Sequence, residues 1–239
     1  MSESYLSETV VEKIKDDYQK WDDGECIFID SPTGSGKTTF ILATLLEHFY
    51  KNGKRILYLV NRRILKKQLK DMISDLSYER KAVIEIELYQ NIEKKICDIG
   101  YRNGNQEERK VQEDSRKRLE ELSKYDCVVC DECHYFLADS NYNTNTSMSF
   151  HWIQTAFQNK LSIFMSATCD EILSYIQKSN LYIPEAGYTL CYGLCKYKKS
   201  VEDNESDLYR MARKEKISKP RNLSKKRIKH YTIERNYAM

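Results

Sequence analysis

One short segment constrains the fold more than any other part of the sequence. A strand-forming run, Cys-Ile-Phe-Ile-Asp at 26–30, leads directly into Ser-Pro-Thr-Gly-Ser-Gly-Lys-Thr-Thr at 31–39. Gly34 and Gly36 permit a tight turn whose backbone N–H groups point inward, and a helix that begins near Lys37 adds the positive end of its dipole. The segment predicts a phosphate-binding loop between a strand and a helix.

The residue types of this loop indicate how a nucleotide would be held. Lys37 would reach the β- and γ-phosphates, and the Thr38 hydroxyl would ligate Mg²⁺. Ser31 occupies the first glycine position of the G-x-x-x-x-G-K-[ST] pattern, which departs from the strict form. The predicted nucleotide-binding residues are Pro32, Thr33, Gly34, Ser35, Gly36, Lys37, Thr38 and Thr39.

Short β-rich runs alternate with longer helical stretches along much of the chain. The further strand candidates are 55–60, 82–88, 127–130 and 161–165, and the helical stretches are 37–51, a run from 61 to 76, 106–122 and 170–179. This alternation favours an α/β fold with a mainly parallel sheet flanked by helices on both faces. Since the pattern decays after Pro184, we predict one domain over 1–185. A Cys- and Tyr-rich connector and a basic tail would follow over 186–239.

Charge and composition narrow the class of protein. The net charge of +3 conceals a tail, 196–239, with 14 Lys and Arg against 6 Asp and Glu. Such a tail indicates contact with a polyanion, or simply a solvated terminus. No uncharged apolar run is long enough to span a membrane, and no signal peptide is recognisable. We therefore expect a cytoplasmic chain whose eight cysteines are reduced thiols.

An acidic box follows the apolar run Cys127–Cys130. It consists of Asp131-Glu-Cys-His134. At the carboxyl end of a parallel strand, Asp131 would face the phosphate loop and hold Mg²⁺ through water, and Glu132 would polarise the attacking water. An apolar run followed by Asp-Glu is commonplace by itself, but together with an upstream phosphate loop it indicates nucleotide hydrolysis.

The segment from Cys127 to His134 contains two spacings that are typical of other chemistry. Cys127, Cys130 and Cys133 are spaced like metal ligands, and Cys130 to His134 matches the C-x-x-C-H pattern of haem attachment. Residues three apart on a strand point to opposite faces, so Cys127 and Cys130 cannot chelate one metal together. Haem attachment requires an export route. We expect structural thiols and no bound zinc, iron or haem.

Three motifs in this order resemble the first, RecA-like motor domain of the superfamily 2 helicases of the DEAD/DEAH-box class. The phosphate loop matches motif I, the D-E-x-H box matches motif II, and Ser166-Ala167-Thr168 after the strand at 161–165 matches motif III. The segment Leu59–Arg63, with Gln68 beyond it, is similar to motif Ia. Leu88-Tyr-Gln90 lies where many relatives carry T-Y-Q.

The resemblance covers roughly residues 10–180 and implies a P-loop NTPase that uses ATP and Mg²⁺. By this resemblance Lys37 and Thr38 bind ATP–Mg²⁺, while Asp131 and Glu132 hold the metal and orient the water. The implied catalytic residues are Lys37, Asp131, Glu132 and His134, and the implied Mg²⁺ ligands are Thr38 and Asp131.

The resemblance also implies a nucleic-acid partner, DNA or RNA in single-stranded form. Asn61, Arg62 and Arg63 would contact its backbone. His134 would couple the catalytic site to Ser166-Ala167-Thr168, which links nucleotide state to the grip on the strand. Ordinary structural roles stay open for these residues, namely a solvated helix start, helix caps and a satisfied histidine.

Two features of the family pattern are not matched. Relatives read adenine with a glutamine upstream of the loop, but Gln19 lies too close to it, and stacking of Trp21 or Tyr18 on the base is the alternative. Relatives also carry a second motor domain with a Q-x-x-G-R-x-x-R motif, and Arg210-Met-Ala-Arg213 lacks its glutamine and glycine. We expect that this domain is truncated, with 188–199 as its beginning, and that a second motor domain would act in trans.

The sequence therefore predicts the ATP-binding domain of a superfamily 2 helicase or translocase, an NTPase impaired in isolation. One alternative is a non-catalytic nucleic-acid-binding remnant, and another is a P-loop small-molecule kinase. The Ser-Ala-Thr segment and the arginines near motif Ia argue against the kinase.

Overall fold

A parallel sheet forms the centre of the domain. The structure is a computed structural model, and it describes residues 6–100, 106–138, 145–169, 172 and 227–232. The six strands are β1 (Glu25–Asp30), β2 (Ile56–Val60), β3 (Ile84–Leu88), β4 (Cys127–Asp131), β5 (Leu161–Ser166) and β6 (Arg227–Thr232). Their order is β3-β2-β4-β5-β1-β6, and every pairing is parallel.

Helices connect the strands. They are α1 (Leu6–Ile14), a short 3-10 helix (Asp17–Lys20), α2 (Lys37–Thr39), a π-helical stretch (Phe40–Leu45), α3 (Leu46–Lys51), α4 (Arg63–Met72), α5 (Tyr78–Lys81), α6 (Tyr89–Gly100), α7 (Gln106–Leu122), α8 (Tyr135–Ala138) and α9 (Asn145–Ala156). The predicted helices over 37–51 and 106–122 are confirmed. The helix predicted over 170–179 lies, except for Ile172, outside the described residues. Of the helices in the described ranges, none has the length and apolarity needed to cross a membrane.

Apolar side chains alternate between the two faces of the sheet and build two cores. Ile27 and Ile29 of β1 join the core beneath α1, the run from α2 to α3, and α4. Cys26 and Phe28 join the core beneath α6 to α9, where Phe28 stacks on Phe164 of β5 with ring centroids 5.3 Å apart. The predicted α/β fold, a parallel sheet flanked by helices on both faces, is confirmed.

The edge strand β6 comes from the predicted basic tail. It runs parallel to β1 in register from Glu25 opposite Arg227 to Asp30 opposite Thr232. Two side-chain contacts attach it: Trp21 Nε1 donates to the Tyr231 hydroxyl at 3.3 Å, and Lys229 Nζ lies 2.9 Å from a carboxylate oxygen of Glu25. A segment near the end of the sequence thus pairs with the strand that leads into the phosphate loop. The domain boundary at 185 stays a prediction.

Candidate nucleotide and nucleic-acid site

The predicted site residues follow the carboxyl ends of four strands. Because all strands are parallel, these ends lie at one edge of the sheet, where open α/β sheets bind ligands. The phosphate loop follows β1, the acidic box begins at Asp131, the last residue of β4, Ser166-Ala167-Thr168 begins at the last residue of β5, and Asn61 follows β2. The fold therefore brings the four motifs to one edge.

The phosphate loop has the backbone that its glycines predict. Gly34 and Gly36 adopt φ values of 81° and 82°, in the left-handed region that residues with a Cβ rarely adopt. Gly36 directly precedes α2, and its carbonyl oxygen accepts from the N–H of Phe40 at 2.9 Å. The chain thus turns sharply out of β1 and enters the helix with its N-terminus facing the loop.

Lys37 points into the loop. Only 7% of the residue is exposed, and Nζ donates to the carbonyl oxygens of Ser31 at 2.6 Å and Pro32 at 3.1 Å. The Ser31 and Ser35 hydroxyls, both buried, lie 2.6 Å apart, so the serine in the first glycine position braces the loop internally. Phosphate oxygens would compete with two neutral carbonyls for the ammonium group.

Asp131 is a buried carboxylate at the end of β4. It is 4% exposed, and both of its oxygens accept hydrogen bonds, Oδ1 from the Glu132 N–H at 3.0 Å and Oδ2 from the Tyr58 hydroxyl at 3.0 Å. Burial raises the pKa of Asp131 to about 6. The Tyr58 hydrogen bond and the charge of Lys37 oppose this rise, and the charge of Glu132 adds to it. Its oxygens and the Thr38 hydroxyl are hard donors that suit Mg²⁺.

Glu132 adopts an unusual backbone conformation for a residue with a side chain, with φ of 50°. Its Oε2 lies 3.2 Å from Nδ1 of His134. This hydrogen bond holds the pKa of Glu132 below its usual range, burial opposes the effect, and the charges of Lys37 and Arg62 reinforce it. An ionised carboxylate here can orient a water molecule and accept its proton.

His134 joins the acidic box to the end of β5. Its Nδ1 lies 2.9 Å from Oγ of Ser166, and the same Oγ accepts a hydrogen bond from the Thr168 N–H at 3.2 Å. Ser166 is fully buried, whereas Ala167 and Thr168 are exposed. The segment 166–168 is predicted to couple the catalytic site to nucleic-acid binding. It contacts the acidic box through Ser166, and its next two residues lie at the surface.

The predicted nucleic-acid residues lie at the junction of β2 and α4. Arg62 and Arg63 are exposed, and Asn61 is half-buried. The Asn61 carbonyl oxygen accepts from Gln90 Nε2 at 2.9 Å, and the same nitrogen lies 3.2 Å from the Tyr135 hydroxyl. Gln90 thus connects this junction to the helix that follows the acidic box.

The three cysteines between Cys127 and Cys133 are buried. Cys127 joins one core and Cys130 the other, so they face opposite sides of the sheet as the strand geometry predicts. Cys133 Sγ lies 3.8 Å from Cys169 Sγ in a buried position. Across the described ranges, no three His, Cys, Asp or Glu side chains form a group that could hold a metal ion.

The aromatic candidates for adenine stacking differ in position. Trp21 is buried, and its ring contacts Phe40 at 6.1 Å and Tyr231 at 5.9 Å between centroids. Trp21 therefore serves the attachment of β6 and is poorly placed to stack on a base. Tyr18 is half-buried and makes edge contacts with Phe40 and His48.

Sequence reasoning did not identify Tyr58. The available signal was a residue with a hydroxyl in the middle of an otherwise aliphatic strand, Ile-Leu-Tyr-Leu-Val at 56–60. A buried tyrosine needs a partner for its hydroxyl, but the sequence does not say which.

The fold and the site together define an α/β phosphate-loop NTPase domain of the RecA-like type, with helicase-like motifs at one edge of its sheet. The sequence model of one family, described as type III restriction enzyme, res subunit, matches residues 2–171. Because this range covers most of the chain, the chain belongs to that family, whose matched region is a helicase-like superfamily 2 motor domain. A comparison with curated protein sequences returned no match.

Proposed function

We propose that this chain is the ATP-binding motor domain of a superfamily 2 helicase or translocase of the DEAD/DEAH-box type. It would couple ATP hydrolysis to the binding or remodelling of single-stranded DNA or RNA. One observation carries the proposal: the phosphate loop, the acidic box and the arginines after β2 lie at one edge of one parallel sheet. The cytoplasmic location and a second motor domain in trans stay predictions from the sequence.

The proposed nucleotide chemistry follows from the charges in the loop. Lys37 exchanges the carbonyl oxygens of Ser31 and Pro32 for phosphate oxygens. Thr38 and Asp131 would hold Mg²⁺, which would supply neutralisation of the phosphate charge. Glu132, kept ionised beside His134, orients a water molecule toward the γ-phosphate.

Two polar connections support the proposed coupling. His134 contacts Ser166, so a change at the acidic box reaches the exposed residues after β5. Gln90 contacts the Asn61 carbonyl, so the helix after the acidic box reaches Arg62 and Arg63. A ligand that shifts either contact would alter the surface available to a strand.

The test measures linkage between the two ligands. Affinities for single-stranded DNA and single-stranded RNA are measured with and without a non-hydrolysable ATP analogue and Mg²⁺. Coupled sites change one another's affinity by about 5- to 150-fold, and by the same factor in both directions. We expect such coupling with at least one of the two strands, weakened in Ser166→Ala, which removes the Oγ that contacts His134.

Each rival function gives another result. A non-catalytic remnant binds the strand equally well with and without the nucleotide. A small-molecule kinase binds the nucleotide but neither strand. Slow ATP hydrolysis that Glu132→Gln abolishes would further support the proposed catalytic role of this carboxylate.

A further inference from the structure

Tyr58 lies in the middle of β2 and is fully buried. In register it pairs with Val129 of β4, and Asp131 lies two residues further along β4 on the same face of the sheet. Side chains lean along their strand, and an aromatic ring is long enough to reach such a diagonal neighbour. The Tyr58 hydroxyl therefore arrives at the carboxyl edge although its backbone lies inside the sheet.

The hydroxyl contacts one of the two residues predicted to ligate Mg²⁺. It donates to Oδ2 of Asp131 at 3.0 Å. The other oxygen of Asp131 accepts from the Glu132 N–H at 3.0 Å. Both oxygens of this carboxylate are thus fixed by a hydrogen bond.

We infer that Tyr58 is a positioning residue of the magnesium site: its hydroxyl holds Oδ2 of Asp131 and sets the placement of this carboxylate as an oxygen donor. The inference rests on the proposed function, because it requires ATP–Mg²⁺ at this edge of the sheet. Mg²⁺ demands near-ideal octahedral geometry, so a carboxylate that rotates freely binds it poorly. Loss of an outer partner of this kind typically changes metal affinity or activity by about 10- to 100-fold.

Tyr89 provides the matched comparison. It is also fully buried, and its hydroxyl donates at 2.9 Å to the main-chain carbonyl oxygen of Asp131. Tyr89→Phe therefore removes an equally buried hydrogen bond to the same residue without touching the carboxylate. If Tyr58 served only to satisfy its own hydroxyl, both substitutions would affect stability and neither would affect the response to Mg²⁺.

The experiment uses the full 239-residue chain. ATP affinity is measured by calorimetry with a chelator present, and Mg²⁺ is then titrated at fixed ATP for the wild type, Tyr58→Phe and Tyr89→Phe. Phenylalanine retains the ring and its packing, and thermal melting verifies that each variant is folded at the assay temperature. We expect unchanged ATP affinity with the chelator in both variants. The Mg²⁺ concentration that gives half of the maximal response in this titration should rise about ten-fold over wild type in Tyr58→Phe. In Tyr89→Phe it should stay within about two-fold of the wild-type value.

Two results would overturn the inference alone: an unshifted Mg²⁺ midpoint in Tyr58→Phe, or equal shifts in both variants. The second result would show that loosening the end of β4 in general disturbs the site. A wild-type chain that binds no ATP, with or without Mg²⁺, would overturn the proposed function and the inference with it. The two failures are therefore distinguishable.

Discussion

At the scale of single residues, Lys37 places a positive charge in the loop before any nucleotide arrives. Charge-assisted hydrogen bonds to phosphate contribute about 1.5–3 kcal/mol each. Lys37→Ala should therefore weaken ATP–Mg²⁺ binding by about a hundred-fold or more. Calorimetry measures the effect. Lys124→Ala, which removes an exposed lysine at the opposite edge of the sheet, is the control. Equal affinities of wild type and Lys37→Ala would refute the phosphate-loop assignment.

The buried carboxylate of Asp131 predicts a dependence of stability on pH. Because its pKa rises from 3.8 to about 6 on folding, the folded state holds this proton more tightly than the unfolded state. The stabilisation is complete below the unfolded pKa and is lost as the pH rises through the folded one. Between about pH 5 and about pH 8, metal-free wild type should lose about 1 kcal/mol of unfolding free energy relative to Asp131→Asn.

Urea unfolding of the two proteins across this pH range, with a chelator present, measures the difference. Contributions from groups that do not interact with Asp131 cancel in it, because the two proteins share them. Parallel pH profiles would contradict the raised pKa of Asp131.

Residue identity alone predicted Lys37, Thr38, Asp131 and Glu132, since phosphate and Mg²⁺ accept few residue types and the motifs fix their spacing. Tyr58 could not be predicted in this way. Its contact with Asp131 depends on the register that pairs it with Val129, and register follows from packing of the whole sheet.

At the scale of elements, the start of α4 carries the residues that are predicted to contact single-stranded nucleic acid. Each phosphate neutralised on a single strand adds about 0.7 to the slope of log affinity against log salt. Arg62→Gln with Arg63→Gln should therefore lower that slope by up to about 1.4. The matched control is Lys81→Gln with Lys124→Gln, two exposed lysines that precede β3 and β4 at the amino edge of the sheet. Equal slopes in both double variants would contradict the prediction that single-stranded nucleic acid binds over the start of α4.

Some elements could be predicted from the sequence and others could not. Strands β1, β2, β4 and β5 were predictable because buried parallel strands are near-continuous apolar runs. Strand β3, Ile-Glu-Ile-Glu-Leu at 84–88, was predictable from its alternation of apolar and charged residues. Helix α6 begins at Tyr89 directly after β3 ends at Leu88, so no turn signal separates them. Strand β6 (Arg227–Thr232) begins inside the basic run Lys225–Lys229, and such a run is typical of a solvated tail rather than of a strand. An edge strand forms because β1 offers its free side, which no local pattern reveals.

At the scale of the whole molecule, β6 connects the end of the described chain to its beginning. Glu25 is 2% exposed, and its Oε2 lies 2.9 Å from Lys229 Nζ and accepts from the Asp22 N–H at 3.2 Å, so removing the lysine takes an ion pair away from a buried carboxylate. Lys229→Met should lower the unfolding free energy by about 1–3 kcal/mol. Glu25→Gln in the same chain should recover part of the loss, because the buried charge is then absent. Urea unfolding of the four proteins of this cycle measures the coupling. Additive effects would contradict the pairing.

The attachment of β6 also decides how the basic tail is tested. Deleting 196–239 would remove a strand that pairs with β1 along its whole length. A loss of affinity for single-stranded nucleic acid in such a deletion would then have two causes, the lost positive charge and the damaged sheet. Substitution of individual basic residues separates the two.

The last prediction concerns turnover by residues 1–239 alone. In the resembled superfamily, ATP lies between two motor domains, and the second supplies arginines to the charge that develops on the γ-phosphate. An arginine finger contributes about 10³- to 10⁵-fold to the rate, which corresponds to about 4–7 kcal/mol of barrier. The 239 residues contain no Q-x-x-G-R-x-x-R motif that would supply it. In the proposed function, Lys37, Asp131 and Glu132 would bind ATP–Mg²⁺ and place the water, but they would not replace that charge.

We therefore expect this chain by itself to bind ATP, hydrolyse it very slowly and leave a duplex paired. Steady-state hydrolysis and a strand-displacement assay measure both activities. A second motor domain added in trans should raise hydrolysis wherever the interface forms, because it restores the arginine. Fast turnover that nucleic acid stimulates and Glu132→Gln abolishes would contradict this expectation. An arginine from the basic tail or from a second copy of the chain would then have to reach the γ-phosphate. Mixing Lys37→Ala chains with chains whose tail arginines are substituted would identify the source, because activity returns in the mixture only if the arginine comes from a second copy.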